Sequence, residues 1–380
     1  IPLKKCIIIP SSFKGTLSSP EICSIISSEI LKQFPECNIV SLPIADGGQG
    51  TVECIKNALN WEYKEIDTVG PFGDPVHARY VVNDSDNTAV VESAQAAGIN
   101  LANGNLNPAK ASTYGIGLII KDAINNGYKN IIVALGGSCT CDGGTGCGAA
   151  LGVKFTDING KEFIPCGATL NHIYHIDNSE CLKFLEGVKI SGMCDITNPM
   201  HGPNGAASIF APQKGADTEM TAMLDRNMEF LDMKFKSELN KDIAKQEGSG
   251  ACGCLGAGIL AMFNGRLRSG INHMLDIMNF DENAKDDDLI ITGEGRLDNL
   301  SLYGKSVYGI AQRVKKLGIT APVVAVVGEN RLDYMTSMSA GISSVIPISP
   351  SYMQYEEMRL HDATNLRNAI TKMLYSRGIF

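Results

Sequence analysis

The strongest constraint on the fold is the alternation of short, continuous apolar segments with helical segments near both ends of the chain. "KCIIIP" (5–10) and "NIVSLPI" (38–44) are rich in β-branched residues, which is typical of strands buried on both faces. Between them, isoleucines repeat on one face of a segment that we expect to be a helix capped by Ser19. Three further strand segments follow the same pattern near the other end: "DLIITGEG" (288–295), "PVVAVVG" (322–328) and "SSVIPI" (343–348).

The middle of the chain has a different pattern. "PVHARYVVND" (75–84) and "NTAVVESA" (87–94) alternate apolar and polar residues around a polar turn, which predicts a hairpin. A helix over 112–126 and the strand "KNIIVALGG" (129–137) follow. Strands that alternate with helices predict an α/β fold with a parallel sheet covered on both faces.

At 380 residues, the chain is long enough for two domains. We predict a discontinuous first domain, formed by 1–66 plus 285–380, with a flavodoxin- or Rossmann-like parallel sheet in a three-layer arrangement. The second α/β domain, 67–284, is then an insertion within the first.

Composition excludes several classes of partner. The net charge of −8 disfavours nucleic acid, whose phosphates are held by clustered Lys and Arg. We find no uninterrupted apolar run of about 18 residues, so the sequence predicts no membrane span. Twelve cysteines in a chain of this size predict reduced thiols and a cytoplasmic protein.

Residues 136–152, "GGSCTCDGGTGCGAALG", combine a glycine-rich loop with three cysteines. Such a loop either brings thiolates to a metal or leaves bare N–H groups for an anion. The C-x-C spacing of Cys139 and Cys141, repeated at Cys252 and Cys254, does not match the usual zinc pairs. The spacing therefore favours an anion-binding loop.

Familiar nucleotide and hydrolase motifs are incomplete. "GTGCGA" (144–149) and "GAGILA" (256–261) match the dinucleotide pattern, but neither has the full context of a preceding strand, a helix and a later acid, which disfavours an NAD-linked oxidoreductase. "GKS" (304–306) lacks the first glycine of a Walker A loop. Ser138 has no nucleophile-elbow pattern around it.

Polar clusters instead follow several predicted strands, where ligands bind in open α/β sheets. They are "PSSFKGT" (10–16), "PIADGGQGT" (43–51), "GGSCTCDGG" (136–144), "CDITNP" (194–199), "APQKG" (211–215) and "TGEGRLDNLSLYGK" (292–305). Their charged residues are the cations Lys14, Lys214, Arg296 and Lys305 and the carboxylates Asp46, Asp142, Asp195, Glu294 and Asp298. Cations, carboxylates and exposed amides together suit phosphoryl transfer, usually around a magnesium ion.

These clusters, in this order, resemble the motifs of the bacterial-type (type I) glycerate kinases. Further similar stretches are "GPFGDPVHARY" (70–80), "NPAKASTYGIG" (107–117) and "GACGCLGAG" (250–258), so that the resemblance runs from about residue 5 to 375. It implies two α/β domains with a cleft between them, ATP and Mg2+ as co-reactants, and D-glycerate as acceptor. It also implies 2-phosphoglycerate as the product in preference to 3-phosphoglycerate.

The chain departs from the family pattern at several positions. Ser11 and Gln49 replace an Asp and a Glu, Leu300 and Ser301 replace a Gln-Thr pair, and Cys139 and Cys141 stand where Ala and Asn are usual. The loss of two carboxylates near the expected magnesium site leaves an alternative open: a non-catalytic relative that binds a sugar acid or nucleotide without turnover.

The resemblance and the strand-end clusters lead to predicted roles. The predicted catalytic residues are Asp195 as the base, Lys14, Arg296 and Lys305. The predicted substrate-binding residues are Ser12, Lys14, Asp46, Gly47, Gly48, Arg296 and Asp298. The predicted nucleotide-binding residues are Gly136, Gly137, Ser138, Asp142, Gly143, Gly144 and Glu294, with Asp46 and Asp142 as metal ligands. The sequence leaves the oligomeric state open, with a homodimer as one option.

Overall fold

The computed structural model describes residues 3–13, 16–45, 48–285, 288–303, 305–349 and 355–376. The strands are β1 (Lys5–Pro10), β2 (Asn38–Ser41), β3 (Glu62–Val69), β4 (Pro75–Asn83), β5 (Thr88–Glu92), β6 (Asn130–Ala134), β7 (Lys154–Thr156), β8 (His175–Asp177), β9 (Lys189–Cys194), β10 (Arg266–Ser269), β11 (Leu289–Leu297), β12 (Val323–Asn330) and β13 (Ser344–Pro347). The helices are α1 (Ser19–Gln33), α2 (Thr51–Leu59), α3 (Ala94–Ala97), α4 (Tyr114–Asn125), α5 (Thr145–Ala150), α6 (Ser179–Phe184), α7 (Ala206–Phe210), α8 (Thr218–Leu239), α9 (Ala251–Met262), α10 (Gly270–Ile277), α11 (Phe280–Asn283), α12 (Ser306–Lys316), α13 (Tyr334–Ser339) and α14 (Tyr355–Ser376). Short 3-10 helices cover Ile99–Ala102, Gly167–His172, Pro212–Lys214 and Asn299–Tyr303.

The chain divides into two compact units. Unit 1 contains Ile1–Asp46, Glu53–Asn60 and Ile271–Phe380, and unit 2 contains Gly47–Val52 and Trp61–Gly270. The chain therefore passes between the units near residues 46, 52, 60 and 270, whereas the sequence predicts domain borders near residues 66 and 284.

Unit 1 is built on a parallel sheet with strand order β13-β12-β11-β1-β2. The side chains of β1 from Cys6 to Ile9 are completely buried, as expected for a strand covered on both faces. Renumbered within the unit, the strand order is the flavodoxin-like 2-1-3-4-5. The order reverses between β1 and β11, and Ser11 N–H donates to the Gly293 carbonyl oxygen there at 2.9 Å.

Helix α1 begins one residue earlier than its sequence pattern predicted. Ser18, not Ser19, is the cap: its hydroxyl accepts from Glu21 N–H, and the Glu21 carboxylate accepts from Ser18 N–H. The buried Ser19 hydroxyl instead donates to the Pro10 carbonyl oxygen at 2.6 Å and accepts from Ile44 N–H at 3.0 Å. The predicted cap at Ser19 is therefore wrong because Ser19 joins the ends of two strand segments.

Unit 2 is built on a mixed sheet with strand order β10-β9-β6-β5-β4-β3. β5, β6, β9 and β10 run parallel, whereas β4 pairs antiparallel with β5, which confirms the predicted hairpin. Strand β3 was not predicted from the sequence, because "EYKEIDTV" is largely polar and partly exposed along its length. The predicted α/β class with a parallel sheet is confirmed.

Of the helices that the structure describes, none combines the length and the apolar character needed to span a bilayer.

Candidate functional site

The candidate site in unit 2 lies where its parallel strands end. Ser93 follows β5, the glycine loop (136–144) follows β6, Asp195 follows β9, and Ser269 ends β10. Because parallel strands end at the same edge of a sheet, these residues belong to the edge where α/β proteins bind ligands.

The start of the glycine loop is held on two sides. The Ser93 hydroxyl donates to the Gly136 carbonyl oxygen at 3.0 Å and accepts from Gly136 N–H at 3.2 Å. Cys139 N–H donates to the Ala97 carbonyl oxygen at 2.8 Å, and Ile99 N–H donates to that of Gly137 at 2.9 Å. These bonds fix the backbone without using all of its donors.

Two donors of this loop have no protein partner. In the part of the chain that the structure describes, the N–H groups of Gly137 and Ser138 make no hydrogen bond. Gly137 is exposed and has φ of +70°, a left-handed conformation that glycine adopts without strain. Adjacent free N–H groups in such a turn form a concave binding site for an oxyanion.

Asp142 anchors the far end of the glycine loop from inside the protein. Its Oδ2 accepts from Thr113 N–H and the Thr113 hydroxyl, both at 2.8 Å, and from Gly146 N–H at 3.2 Å. Its Oδ1 accepts from Gly144 N–H at 3.1 Å. Burial raises the pKa of this carboxyl, and these donors oppose that shift. Four protein donors occupy the oxygens, so the arrangement fits a structural anchor better than a metal ligand.

Glu92 positions the segment 48–52 beside the glycine loop. Its carboxylate is 2 % exposed and accepts from Gly50 N–H at 3.0 Å and Val52 N–H at 3.3 Å. A methyl group added to Gly136 would lie 2.7 Å from the Cα of Gly48. Glycine is thus needed at both positions for the two backbones to approach so closely. Predicted site residues from the segment 48–52 and from the glycine loop therefore lie side by side.

Lys214 is the buried cation of this region. Its side chain is 4 % exposed, and its Nζ donates to the Thr140 carbonyl oxygen at 2.7 Å and to the Ser138 hydroxyl at 3.4 Å. Among the described residues, no carboxylate lies within ion-pair distance of Nζ. The ammonium therefore lies under the glycine loop with only neutral partners.

A left-handed turn at the start of α9 completes the cluster. Cys252, Gly253 and Cys254 have φ of +55°, +59° and +69°, which is uncommon for non-glycine residues. The Gly253 carbonyl oxygen accepts from Gly143 N–H at 2.9 Å. Burial raises the pKa of the Cys252 thiol, and the neighbouring hydroxyls of Ser138 and Ser93 oppose that shift. Strain of this kind persists where the surrounding structure fixes the backbone, often at binding sites.

The cysteines of the loop are neutral thiols. Burial raises the pKa of Cys139 to about 11, even though Lys214 favours the thiolate. Burial likewise raises the pKa of Cys141, Cys147 and Cys254. Every cysteine is free, and the described residues contain no group of three or more His, Cys, Asp or Glu side chains arranged for a metal. The preference for an anion loop over thiolate ligation agrees with this chemistry.

Asp195 follows β9, the neighbour of β6 in the sheet. It is half-buried, and its Oδ1 accepts from the Ser269 hydroxyl at 3.1 Å. Ser269 lies opposite Cys194 in the register of β10 with β9. The hydroxyl thus orients the carboxylate at the end of the sheet.

The other predicted residues that the structure describes lie in unit 1. Ser12 and Lys305 are exposed, and Glu294 is 7 % exposed within β11. Arg296 Nε donates to Glu329 at 2.8 Å, and Asp298 accepts from Ser301 N–H at 3.2 Å. The predicted residues Lys14, Asp46 and Gly47 lie outside the described residues.

Three residues that hold the unit 2 site were not among the predicted site residues. Glu92 and Ser93 end a strand that sequence analysis identified only as part of a hairpin. Lys214 is one of the cations in the polar clusters, but the residues around it in the sequence do not indicate that it is buried. A carboxylate and a hydroxyl directly after a fully buried apolar strand are the signal that could have identified the first two.

Unit 2 also contains a cavity of about 760 Å³. It is lined by Gly202, Pro203, Ser208, Pro212, Ala216, Asp217, Thr218, Thr221, Ala222, Asp225 and Arg226. Its volume lies in the range of small-molecule pockets.

Known proteins resemble this chain over nearly its full length. A family model described as the glycerate kinase family matches residues 6–376. The chain is 37% identical over 352 residues to the glycerate kinase of Halalkalibacterium halodurans, covering 92% of both chains. It is 36% identical over 354 residues to the glycerate 2-kinase of Escherichia coli K12, covering 93% of this chain and 92% of that one. A crystal structure from Salmonella typhimurium LT2, assigned as a glycerate kinase 2, matches with a TM-score of 0.85 and 31% identity, covering 99% of this chain and 98% of the other.

Proposed function

Because the chain belongs to the glycerate kinase family of enzymes, as its motifs predict, we propose that it transfers the γ-phosphoryl group of ATP to D-glycerate. The proposed product is 2-phosphoglycerate, in keeping with the name of the E. coli relative, a glycerate 2-kinase. We further propose the cytosol as its place of action, because free thiols persist there.

One observation supports the placement of the nucleotide. Gly137 and Ser138 present N–H groups without protein partners in a loop that is fixed at both ends. Phosphoryl transfer depends mainly on positioning and on neutralising charge, which preformed backbone donors provide without reorganisation. We therefore assign the glycine loop to the phosphates of ATP.

The proposed reaction needs one proton acceptor. The C2 hydroxyl oxygen of D-glycerate attacks the γ-phosphorus, the bond to the β,γ-bridging oxygen breaks, and ADP leaves. The hydroxyl proton passes to a base, for which Asp195 is the proposed residue because Ser269 orients its carboxylate at the strand end.

The acceptor's carboxylate requires a cation, and we propose Lys14 or Arg296 for it. Arg296 shares Glu329 with Arg331, so two guanidinium groups face one carboxylate and a net positive charge remains. Lys305, exposed at the start of α12, is the proposed partner of the transferring phosphoryl group. Ser12, Gly48, Asp298 and Glu294 remain predicted binding residues.

Magnesium is the ion that ordinarily accompanies ATP, and it neutralises phosphate charge in such reactions. Asp142 does not fit as its ligand, because both oxygens already accept protein donors. Asp46, the other predicted ligand, lies outside the described residues. We therefore derive no step of the reaction through the ion.

A coupled assay of ADP release tests the proposal. Purified protein with ATP, Mg2+ and D-glycerate should form ADP, and omission of D-glycerate should abolish this. Asp195→Ala should lower kcat by about 100-fold or more, the usual contribution of a general base, with an unchanged Tm. Near-normal turnover of Asp195→Ala would remove that residue from the mechanism. Binding of ATP and D-glycerate without ADP formation would instead favour the non-catalytic relative.

A further inference from the structure

The surroundings of Lys214 lack a counter-charge. The side chain is buried, its two hydrogen-bond partners are neutral, and no described carboxylate lies within ion-pair distance. The nearby thiols of Cys139, Cys141 and Cys252 do not supply a negative charge, because burial keeps them protonated. A buried charge without a partner is costly, and proteins keep one mainly where a ligand compensates it.

Lys214 also adjoins the free donors of the glycine loop. Its Nζ lies 3.4 Å from the hydroxyl of Ser138, whose own N–H group has no partner among the described residues. Gly137 is exposed and Cys252 is partly exposed, so the cluster reaches solvent. The ammonium and two backbone N–H groups are thus brought together with a path of approach.

We propose that Lys214 supplies the positive charge of an oxyanion subsite whose backbone donors are the N–H groups of Gly137 and Ser138. This inference rests on the proposed function. The ligand is an oxyanion with a localised negative charge. The proposed function implies a phosphate of the nucleotide, and the test distinguishes this source from the carboxylate of the hydroxy acid. Charge-assisted hydrogen bonds to such a group would offset the cost of burying the ammonium.

Two substitutions test the role of the charge. Lys214→Met removes the charge and the donor, whereas Lys214→Gln removes the charge and keeps a donor for the Thr140 carbonyl oxygen. Lys245→Met is the matched control, because Lys245 is an exposed lysine of the same unit with no hydrogen bond or ion pair among the described residues. Titration calorimetry measures Kd for ADP, adenosine and D-glycerate, and the ligand-free Tm is recorded for each protein.

Both Lys214 variants should raise Kd for one anion by about 30-fold or more, while Lys245→Met matches the wild type. Weaker binding of ADP with unchanged binding of adenosine identifies the nucleotide phosphate as the ligand. Weaker binding of D-glycerate alone identifies the carboxylate. The ligand-free Tm should stay within about 4 °C of the wild type or rise, because an unpaired buried charge has been removed.

Other results would overturn the inference. The Lys214 variants could bind ADP and D-glycerate with Kd values within about threefold of the wild type, while the wild type forms ADP. This result would overturn the inference about Lys214 but not the proposed function. A larger fall in Tm, with weaker binding of adenosine as well, would make Lys214 a structural residue. A wild type that binds neither anion would overturn the proposed function and this inference together.

Discussion

Single residues decide how the glycine loop is held, and Asp142 is the clearest case. Asp142→Asn replaces one carboxylate oxygen with an NH2 group, which conflicts with the N–H donors that converge on it. We expect a loss of about 1–3 kcal/mol in the free energy of unfolding. Trp61, the only tryptophan, belongs to unit 2, so its fluorescence in urea reports the unfolding of that unit.

Asp74→Asn is the control for this substitution, because Asp74 is exposed in the same unit and its side chain makes no hydrogen bond among the described residues. Its stability should match the wild type. If Asp142→Asn were equally stable but required far more Mg2+ for turnover, Asp142 would act as a metal ligand and the structural assignment would be wrong.

Thiol reactivity tests the chemical state of the loop cysteines. With a pKa of about 11, Cys139 is thiolate in roughly 0.1% of molecules at pH 8, and its side chain is also inaccessible. Iodoacetamide at pH 8 should therefore alkylate the partly exposed Cys166 long before Cys139, Cys141 or Cys147. Mass spectrometry of the peptides gives the order, and the same reaction in guanidinium chloride provides the fully labelled reference. Rapid labelling of Cys139 in the native protein would contradict its burial.

At the level of elements, the left-handed turn at the start of α9 is predicted to hold the glycine loop in place. An alanine at Gly253 would place its Cβ 2.1 Å from the Thr140 carbonyl oxygen. Gly160→Ala is the matched control: Gly160 also has positive φ, but a Cβ there would meet nothing within 4 Å. Gly253→Ala should therefore lower the free energy of unfolding by at least about 2 kcal/mol more than Gly160→Ala does. Trp61 fluorescence in urea measures both values. Equal losses of unfolding free energy would mean that the loop adapts to the added methyl group and that the turn does not hold it in place.

Elements buried on both faces were the easiest to predict. β1, β11 and β12 carry continuous apolar runs, and solvent reaches almost none of their central side chains. β3 was missed because an exposed edge strand gives no such run. The cap of α1 was misplaced by one residue because two adjacent serines both have donors nearby, and only tertiary contacts distinguish them.

The site was harder to predict than the fold, because its contacts join residues that are distant in the sequence. The motifs predicted that the glycine loop and Asp195 follow strands, and the structure has both directly after a strand. One partner of Asp142 lies 29 positions away from it in the sequence, and one partner of Lys214 lies 74 positions away from it. No local sequence pattern indicates such contacts. A lysine in a polar cluster also has the sequence appearance of a surface residue, so its burial requires the structure.

At the level of the whole molecule, the residues with proposed roles are divided between the two units. Unit 2 holds the glycine loop, Lys214 and Asp195, and unit 1 holds Arg296 and Lys305. Ser11 stands where the family has a carboxylate. Its hydroxyl makes a structural contact, because it donates to the Gly293 carbonyl oxygen at 3.1 Å. Gln49 is exposed. Neither substitution removes a described anchor of the glycine loop.

Product identification by 31P NMR is the most direct test of phosphoryl transfer to D-glycerate. Purified protein is incubated with ATP, Mg2+ and D-glycerate, and the phosphorus spectrum is followed with time. We predict equal growth of the ADP and 2-phosphoglycerate resonances as ATP declines. An unchanged ATP spectrum, or ADP that appears with inorganic phosphate alone, would contradict the proposed function.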